Sequence, residues 1–214
     1  MEPAAQELSP LEMGGVLALV EQLSPLEAAG VLLGVLYLVL AIRESLWCWP
    51  AAFLSSVLTI VVMFGARLYS EAALNVFYAA MAIYGWYQWR YGGRGQGAPE
   101  LPIGVWPLRT HVLAIGGSIA LSAVIGWFMS RHTGAAFPYL DAFVTVSSVV
   151  TTYMVARKIL ENWLYWLVVD SLSLYLYWQR ELYLYVGLFA LYLVLVVLGL
   201  VRWHRDWRAQ PVSA

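Results

Sequence analysis

Long apolar runs, each broken by a short polar or Gly/Pro segment, recur along the whole chain. They predict helical spans at about 25–42, 49–66, 71–89, 110–129, 139–156, 162–178 and 182–201. Each is near the roughly 20 residues needed to cross a bilayer core, and together they leave no room for a soluble domain. The start signals are local. LSPLEMGGVL at 8–17 is nearly repeated as LSPLEAAGVL at 23–32, each copy placing Ser as N-cap, Pro at the first helical position and Glu two residues on. The first copy runs only to about Gln22 before the next Ser-Pro, which predicts a short interfacial helix rather than a span. Pro50 in WCWP suits the opening turn of the second span. RYGGRGQGAPELPIGVWPLR, from Arg90 to Arg109, is the one substantial loop. The fourth span, rich in Ala, Gly, Ile and Ser, reads as a connector.

Spans one to three and five to seven echo each other. Glu44 and Trp49 correspond to Glu161 and Trp166 at an offset of 117. Leu68, Tyr69, Tyr78, Gly85 and Trp89 correspond to Leu182, Tyr183, Tyr192, Gly199 and Trp203 at 114. Three spans reverse the membrane side and one more restores it. The halves are therefore expected as parallel repeats about an axis along the membrane normal, with a substrate site near the midplane.

Composition adds the class. Of 214 residues 62% are hydrophobic and 12% charged, with a mean hydropathy of +0.71, against about 25% charged residues in soluble domains. A net charge of -1 offers no electrostatic grip on nucleic acid. The lone Cys48 allows no intrachain disulfide and no thiolate cluster. The acidic start MEPAAQELSP lacks a basic n-region, so no cleavable signal peptide is expected. With the N-terminus outside, nine of the 12 basic residues (Arg43, Arg90, Arg94, Arg109, Arg157, Lys158, Arg202, Arg205, Arg208) fall on the cytoplasmic side, which sets N outside and C inside.

The candidate chemistry lies in KILENWLYWLVVDSLSLYLYW, from Lys158 to Trp178, where Trp163, Trp166, Asp170, Ser173 and Tyr177 share one helix face. A carboxylate within a span costs several kcal/mol, or about that, unless it faces a bundle interior or a wet cavity. Asp170 reads either as a structural acid bonded to a neighbouring helix or as a site for an organic cation between aromatic rings. In the third span Asn75, Tyr78, Ala82, Gly85 and Trp89 share a face. In the fifth, Thr145, Ser148 and Thr152 form a stripe that suits a packing seam or a pore lining equally. Glu161 and Lys158, at i and i+3, read as a solvated ion pair or a gate at the cytoplasmic mouth, and Glu44 beside Arg43 reads the same way. His132 reads as solvated in a polar loop. No HExxH, GxSxG, acid pair within one span or Gly-rich phosphate loop supports an enzyme, and no metal or cofactor is expected.

LYSEAALNVFYAAMAIYGWYQW and ARKILENWLYWLVVDSLSLYLYW resemble the signatures of the bacterial PnuC vitamin transporters, over about residues 25 to 205. The resemblance implies an all-α integral membrane fold of seven transmembrane helices, two three-helix repeats joined by a linker helix (3+1+3), similar to SWEET transporters. The divisions expected are an interfacial segment 1–24, a first bundle 25–90, a loop and linker helix 91–130, a second bundle 131–205 and a cytoplasmic tail 206–214. It further implies facilitated diffusion across the bacterial inner membrane, a cytoplasmic kinase that traps the substrate, and a homotrimer. Membrane lipid is the only other partner expected. The family's substrate-contacting motifs fall on Lys158, Glu161, Asn162, Trp163, Trp166 and Asp170, and on Tyr84, Trp86, Gln88 and Trp89. With them, Trp163 and Trp166 are expected to stack on the ring, and Asp170 to balance its charge. Asn162, Gln88 and Asn75 would bond its polar arms, beside Ser173 and Thr145. Nicotinamide riboside is the expected substrate and thiamine the alternative; both carry a fixed positive ring, and neutral riboflavin, carried by other relatives, gains less from Asp170. Residues 1–24 have no counterpart in the family.

Overall fold

The computed structural model describes residues 24–65, 67, 69–93 and 101–210. The first LSPLE copy with its expected interfacial helix, Leu68 and Arg94 lie outside the described residues, as does the end of the tail. Seven helices are described: α1 (Pro25–Ile42), α2 (Cys48–Gly65), α3 (Tyr69–Tyr91), α4 (Leu108–His132), α5 (Pro138–Ala156), α6 (Asn162–Gln179) and α7 (Tyr183–Arg208). By length and composition, α1, α2, α4, α5 and α7 are long and apolar enough to cross a membrane. α3 and α6 carry the Asn, Asp and clustered Tyr and Trp residues that lower their hydropathy. Large apolar side chains such as Leu32, Leu113 and Val201 point outward, as a lipid-facing surface requires.

The helix starts are set locally. Ser24 Oγ accepts from the Glu27 N–H at 3.2 Å and Glu27 Oε2 accepts from the Ser24 N–H at 2.7 Å, a reciprocal capping box ahead of Pro25. α4 runs to His132 and α7 to Arg208, past the expected boundaries at 130 and 205. His132 is therefore not a loop residue: it closes α4, stacked on Phe128 with ring centroids 4.3 Å apart and hydrogen-bonded to the Phe128 carbonyl at 2.9 Å.

α2 packs on both α1 and α3, and α6 on both α5 and α7; the two groups meet along α3–α5 and α1–α7. α4 leans on α5 through a buried strip of Ser118, Ser122 and Gly126. A Cβ on Gly126 would stand 2.7 Å from the Tyr139 Cα, a backbone atom that cannot swing away. Gly126→Leu is expected to lever α4 off α5 and lower stability by about 1–3 kcal/mol; an unchanged thermal midpoint in detergent would sink this seating.

One register runs through both groups. α2 and α6 start 114 residues apart, as do α3 and α7, and the turns before them have equal lengths, 43–47 matching 157–161 and 66–68 matching 180–182. Glu44 (φ 54) and Lys158 (φ 51) both take the left-handed conformation, as do Arg67 (φ 61) and Glu181 (φ 58). The turn bonds recur too: Ser45 N–H to Leu40 O and Ile159 N–H to Met154 O. This corrects the offset of 117 expected for Glu44 and Trp49. Equal turns leave no three-residue gap, so Glu44 stands opposite Lys158, and Trp49 opposite Trp163. Between α3 and α4, Gly104 is strapped to the α5–α6 turn by its N–H to Lys158 O at 3.0 Å and its carbonyl from Leu160 N–H at 2.8 Å.

Candidate functional site

Asp170 lies midway along α6, 4% exposed, and its carboxyl forms no hydrogen bond or ion pair with the described residues. It faces a cavity of about 990 Å³ lined by residues of all seven helices. Trp166, Ser173 and Tyr177, one and two turns away on the same helix face, line it as well. Tyr37 of α1, Tyr78 of α3 and Tyr192 of α7 supply aromatic walls. Thr145, Ser148 and Thr152 turn their stripe into the cavity. The Ser148 and Thr152 hydroxyls donate to the carbonyls of Val144 and Ser148 at 2.8 Å each, which leaves oxygen lone pairs for a ligand. Asn75 lines the cavity and donates from Nδ2 to Glu71 O at 2.9 Å, its amide oxygen having no partner among the described residues.

The two ends differ. At one, the Asp141 carboxylate accepts two bonds from Arg180 Nη2, at 2.8 and 2.6 Å, beside Glu71 and the α4–α5 turn residues Thr133 and Ala135. Among the described residues the cavity's charged lining is thus three carboxyl groups and one guanidinium. At the other end four tryptophans close in file. Trp49 meets Trp89 edge-on at 5.3 Å, Trp89 meets Trp203 at 5.9 Å, and Trp203 meets Trp163 edge-on at 5.3 Å. Trp89 Nε1 donates to Val155 O and Trp203 Nε1 to Ala41 O, both at 3.1 Å. Beneath them Lys158 Nζ lies 2.8 Å from Glu44 Oε2 and 4.8 Å from the Trp89 ring centroid.

Of the residues expected from sequence, Trp166, Asp170, Ser173, Asn75 and Thr145 line the cavity. Trp163 does not: its ring is 1% exposed and pressed onto Gly199, inside the tryptophan file. Trp89 belongs to the same file. Asn162 is fully buried at the first turn of α6, donating to Ile159 O at 2.6 Å while its Oδ1 has no partner among the described residues. Gln88 accepts from Arg157 Nη1 at 3.2 Å, Tyr84 stacks on Tyr153 at 6.2 Å, and Trp86 faces outward against Tyr91 at 5.9 Å. The Glu161–Lys158 pair is not formed. Both residues sit in the turn between α5 and α6, where helical i, i+3 spacing does not apply; Lys158 pairs with Glu44, and Glu161 lies 3.6 Å from His111 Nε2.

Tyr37, Ser56, Arg180 and Tyr192 line the cavity without having been singled out as site residues. The 114 register is the signal that finds two of them: Tyr192 is the mate of Tyr78, and Ser56 that of Asp170. Trp166 has Ala52 as its mate, so the Trp166–Asp170 combination of indole and acid is not repeated at the matching positions of α2. No group of three or more His, Cys, Asp or Glu among the described residues could hold a metal ion.

Residues 24–205 match the family described as nicotinamide mononucleotide transporter. The chain is 32% identical over 182 residues to the riboflavin/roseoflavin transporter RibM of Streptomyces davaonensis, covering 82% of this chain and 81% of that one. It is 26% identical over 174 residues to the nicotinamide riboside transporter PnuC of Escherichia coli, covering 70% and 72%. The crystal structure of the vitamin B3 transporter PnuC superposes with a TM-score of 0.72 at 22% identity, over 94% of this chain and 89% of that one, so the fold is shared. A multi-pass helical protein with a lined central cavity and a family match over most of its length, the chain belongs to the nicotinamide mononucleotide transporter family, a family of membrane transporters rather than enzymes.

Proposed function

We propose that the protein carries a vitamin with a positively charged heteroaromatic ring, nicotinamide riboside first and thiamine as the alternative, by facilitated diffusion. The observation that carries this is Asp170, a carboxyl 4% exposed and without a partner among the described residues, in a cavity walled by Trp166, Tyr37, Tyr78 and Tyr192. Rings present their negative faces to a cation, and the acid supplies its counter-charge. The riboside is preferred to its phosphorylated form, because among the described lining residues a phosphate would meet Glu71, Asp141 and Asp170 with only Arg180, already paired, to receive it. Thr145 and Asn75 are the ligand's polar contacts in this reading, in place of Asn162 and Gln88.

Movement follows from two three-helix repeats, α1–α3 and α5–α7, joined by α4 and rocking about the central site. The 114-residue register supports this division. The tryptophan end is cytoplasmic and the Asp141–Arg180 end periplasmic, on the distribution of basic residues. Assembly as a trimer in the inner membrane and trapping by a cytoplasmic kinase complete the proposal by family likeness.

Riboflavin is the second reading. It is favoured by the 32% identity to a riboflavin/roseoflavin transporter and by a cavity of about 990 Å³, ample for a three-ring system. Thermal stabilisation of the purified protein by each compound decides, since a ligand at 100 times its Kd adds about 2.7 kcal/mol. A shift with nicotinamide riboside or thiamine alone is the expected result. A shift with riboflavin alone overturns the cation reading, and no shift with any of the three overturns the proposed substrate class.

A further inference from the structure

We infer that Glu44 and Lys158 are the latch that holds the tryptophan end of the cavity shut, and that opening there parts this ion pair together with two indole–carbonyl bonds. The inference rests on the alternating-access reading above. Several contacts cross between the two helix groups at this end, Arg157 to Gln88 among them, and three follow the 114 register: the two indole bonds exchange under it, Trp89 with Trp203 and Val155 with Ala41, and Glu44 meets its own mate Lys158. Trp89 bonds Val155 O and Trp203 bonds Ala41 O, each 3.1 Å long, and Glu44 meets Lys158 at 2.8 Å. The same two carbonyls also accept the backbone N–H of the charged residues, Ala41 O from Glu44 at 3.0 Å and Val155 O from Lys158 at 2.9 Å. Each carbonyl therefore ties the backbone of a latch residue to an indole of the opposite group, and ion pair and indole bonds move as one piece.

The pair is poised to release. Lys158 is 3% exposed, its backbone is held by Gly104 from the linker, and its ammonium is met by the Glu44 carboxylate and the Trp89 ring. Remove the Glu44 charge and a buried ammonium loses its counter-ion, the costly case for a buried pair. The conformation that brings Lys158 to water is then favoured, and that is the one open at this end.

Cys48 reports the change. It is the chain's single cysteine, the first residue of α2, and 0% exposed at the closed end. Native full-length protein should label slowly with N-ethylmaleimide, and Glu44→Gln should raise the rate about tenfold or more, the size of a modest population shift. Lys158→Arg should keep the wild-type rate, and the exchange Glu44→Lys with Lys158→Glu should return close to it. Labelling of folded Glu44→Gln at the wild-type rate overturns the latch, as does an exchanged pair that labels as fast as the single variant. If Glu44→Gln does not fold, Lys158→Gln carries the same expectation and the same refutation. Ligand stabilisation of the wild type is read separately, so a failed substrate reading leaves the labelling result intact.

Discussion

Asp170→Asn is expected to weaken nicotinamide riboside binding by about 2–4 kcal/mol, roughly 30- to 1,000-fold, while the ligand-free protein keeps or gains stability. The two signs have one cause. A carboxylate without a partner in a cavity is tolerated at a cost, and the isosteric neutral amide removes that cost. A cationic ring about 4 Å away gains on the order of 4 kcal/mol from the charge at an effective dielectric of 20, and the amide removes that too. Global damage would lower both quantities. Titration calorimetry alongside thermal unfolding separates the cases, and unchanged affinity in a folded Asp170→Asn protein would rule out the counter-ion role. A neutral ligand would lose only a hydrogen bond's worth, about 1 kcal/mol.

Gly199→Ala and Gly85→Ala are each expected to cost about 3 kcal/mol, at the upper end for overpacking. Added Cβ atoms would collide with the Trp163 ring and the Trp49 ring respectively. Both indoles are confined, Trp163 being 1% and Trp49 2% exposed, and each is held edge-on by the next tryptophan in file, although Trp49 also borders the cavity. Trp163→Phe, which leaves a space of its own, should recover part of the Gly199→Ala loss, so the double variant is more stable than the sum of its parts. Strict additivity in thermal unfolding would show that the glycine and the ring do not bear on each other.

The helix order and Asp170's face were legible in the sequence because periodicity and hydropathy act within one helix. Trp166, Asp170 and Ser173 share a face by spacing alone, and that face meets the cavity. Depth was not legible. Trp163 occupies the same face one turn earlier, and only the glycine on α7, 36 residues on, takes it into the core instead. Register failed for a chemical reason. Matching by identity pairs glutamate with glutamate and slips to Glu161, whereas the turns pair Glu44 with Lys158 and Cys48 with Asn162, residues of unlike type. Lys158 and Glu161 suggested a local pair because three-residue spacing assumes a helix, and the left-handed Lys158 has already ended it.

With the two groups read as repeats, Glu44 and Lys158 meet on the axis that relates them, which bears on how such a chain could have arisen. In a symmetric dimer of identical three-helix subunits, a residue on the twofold axis meets only its own copy. Two glutamates or two lysines would repel there, and an uncharged pair would attract weakly. An ion pair at that point needs two different sequences, as in a duplicated chain that has since diverged. On that reading, fusion would supply an ion pair at the tryptophan end that a homodimeric ancestor could not form at the same point.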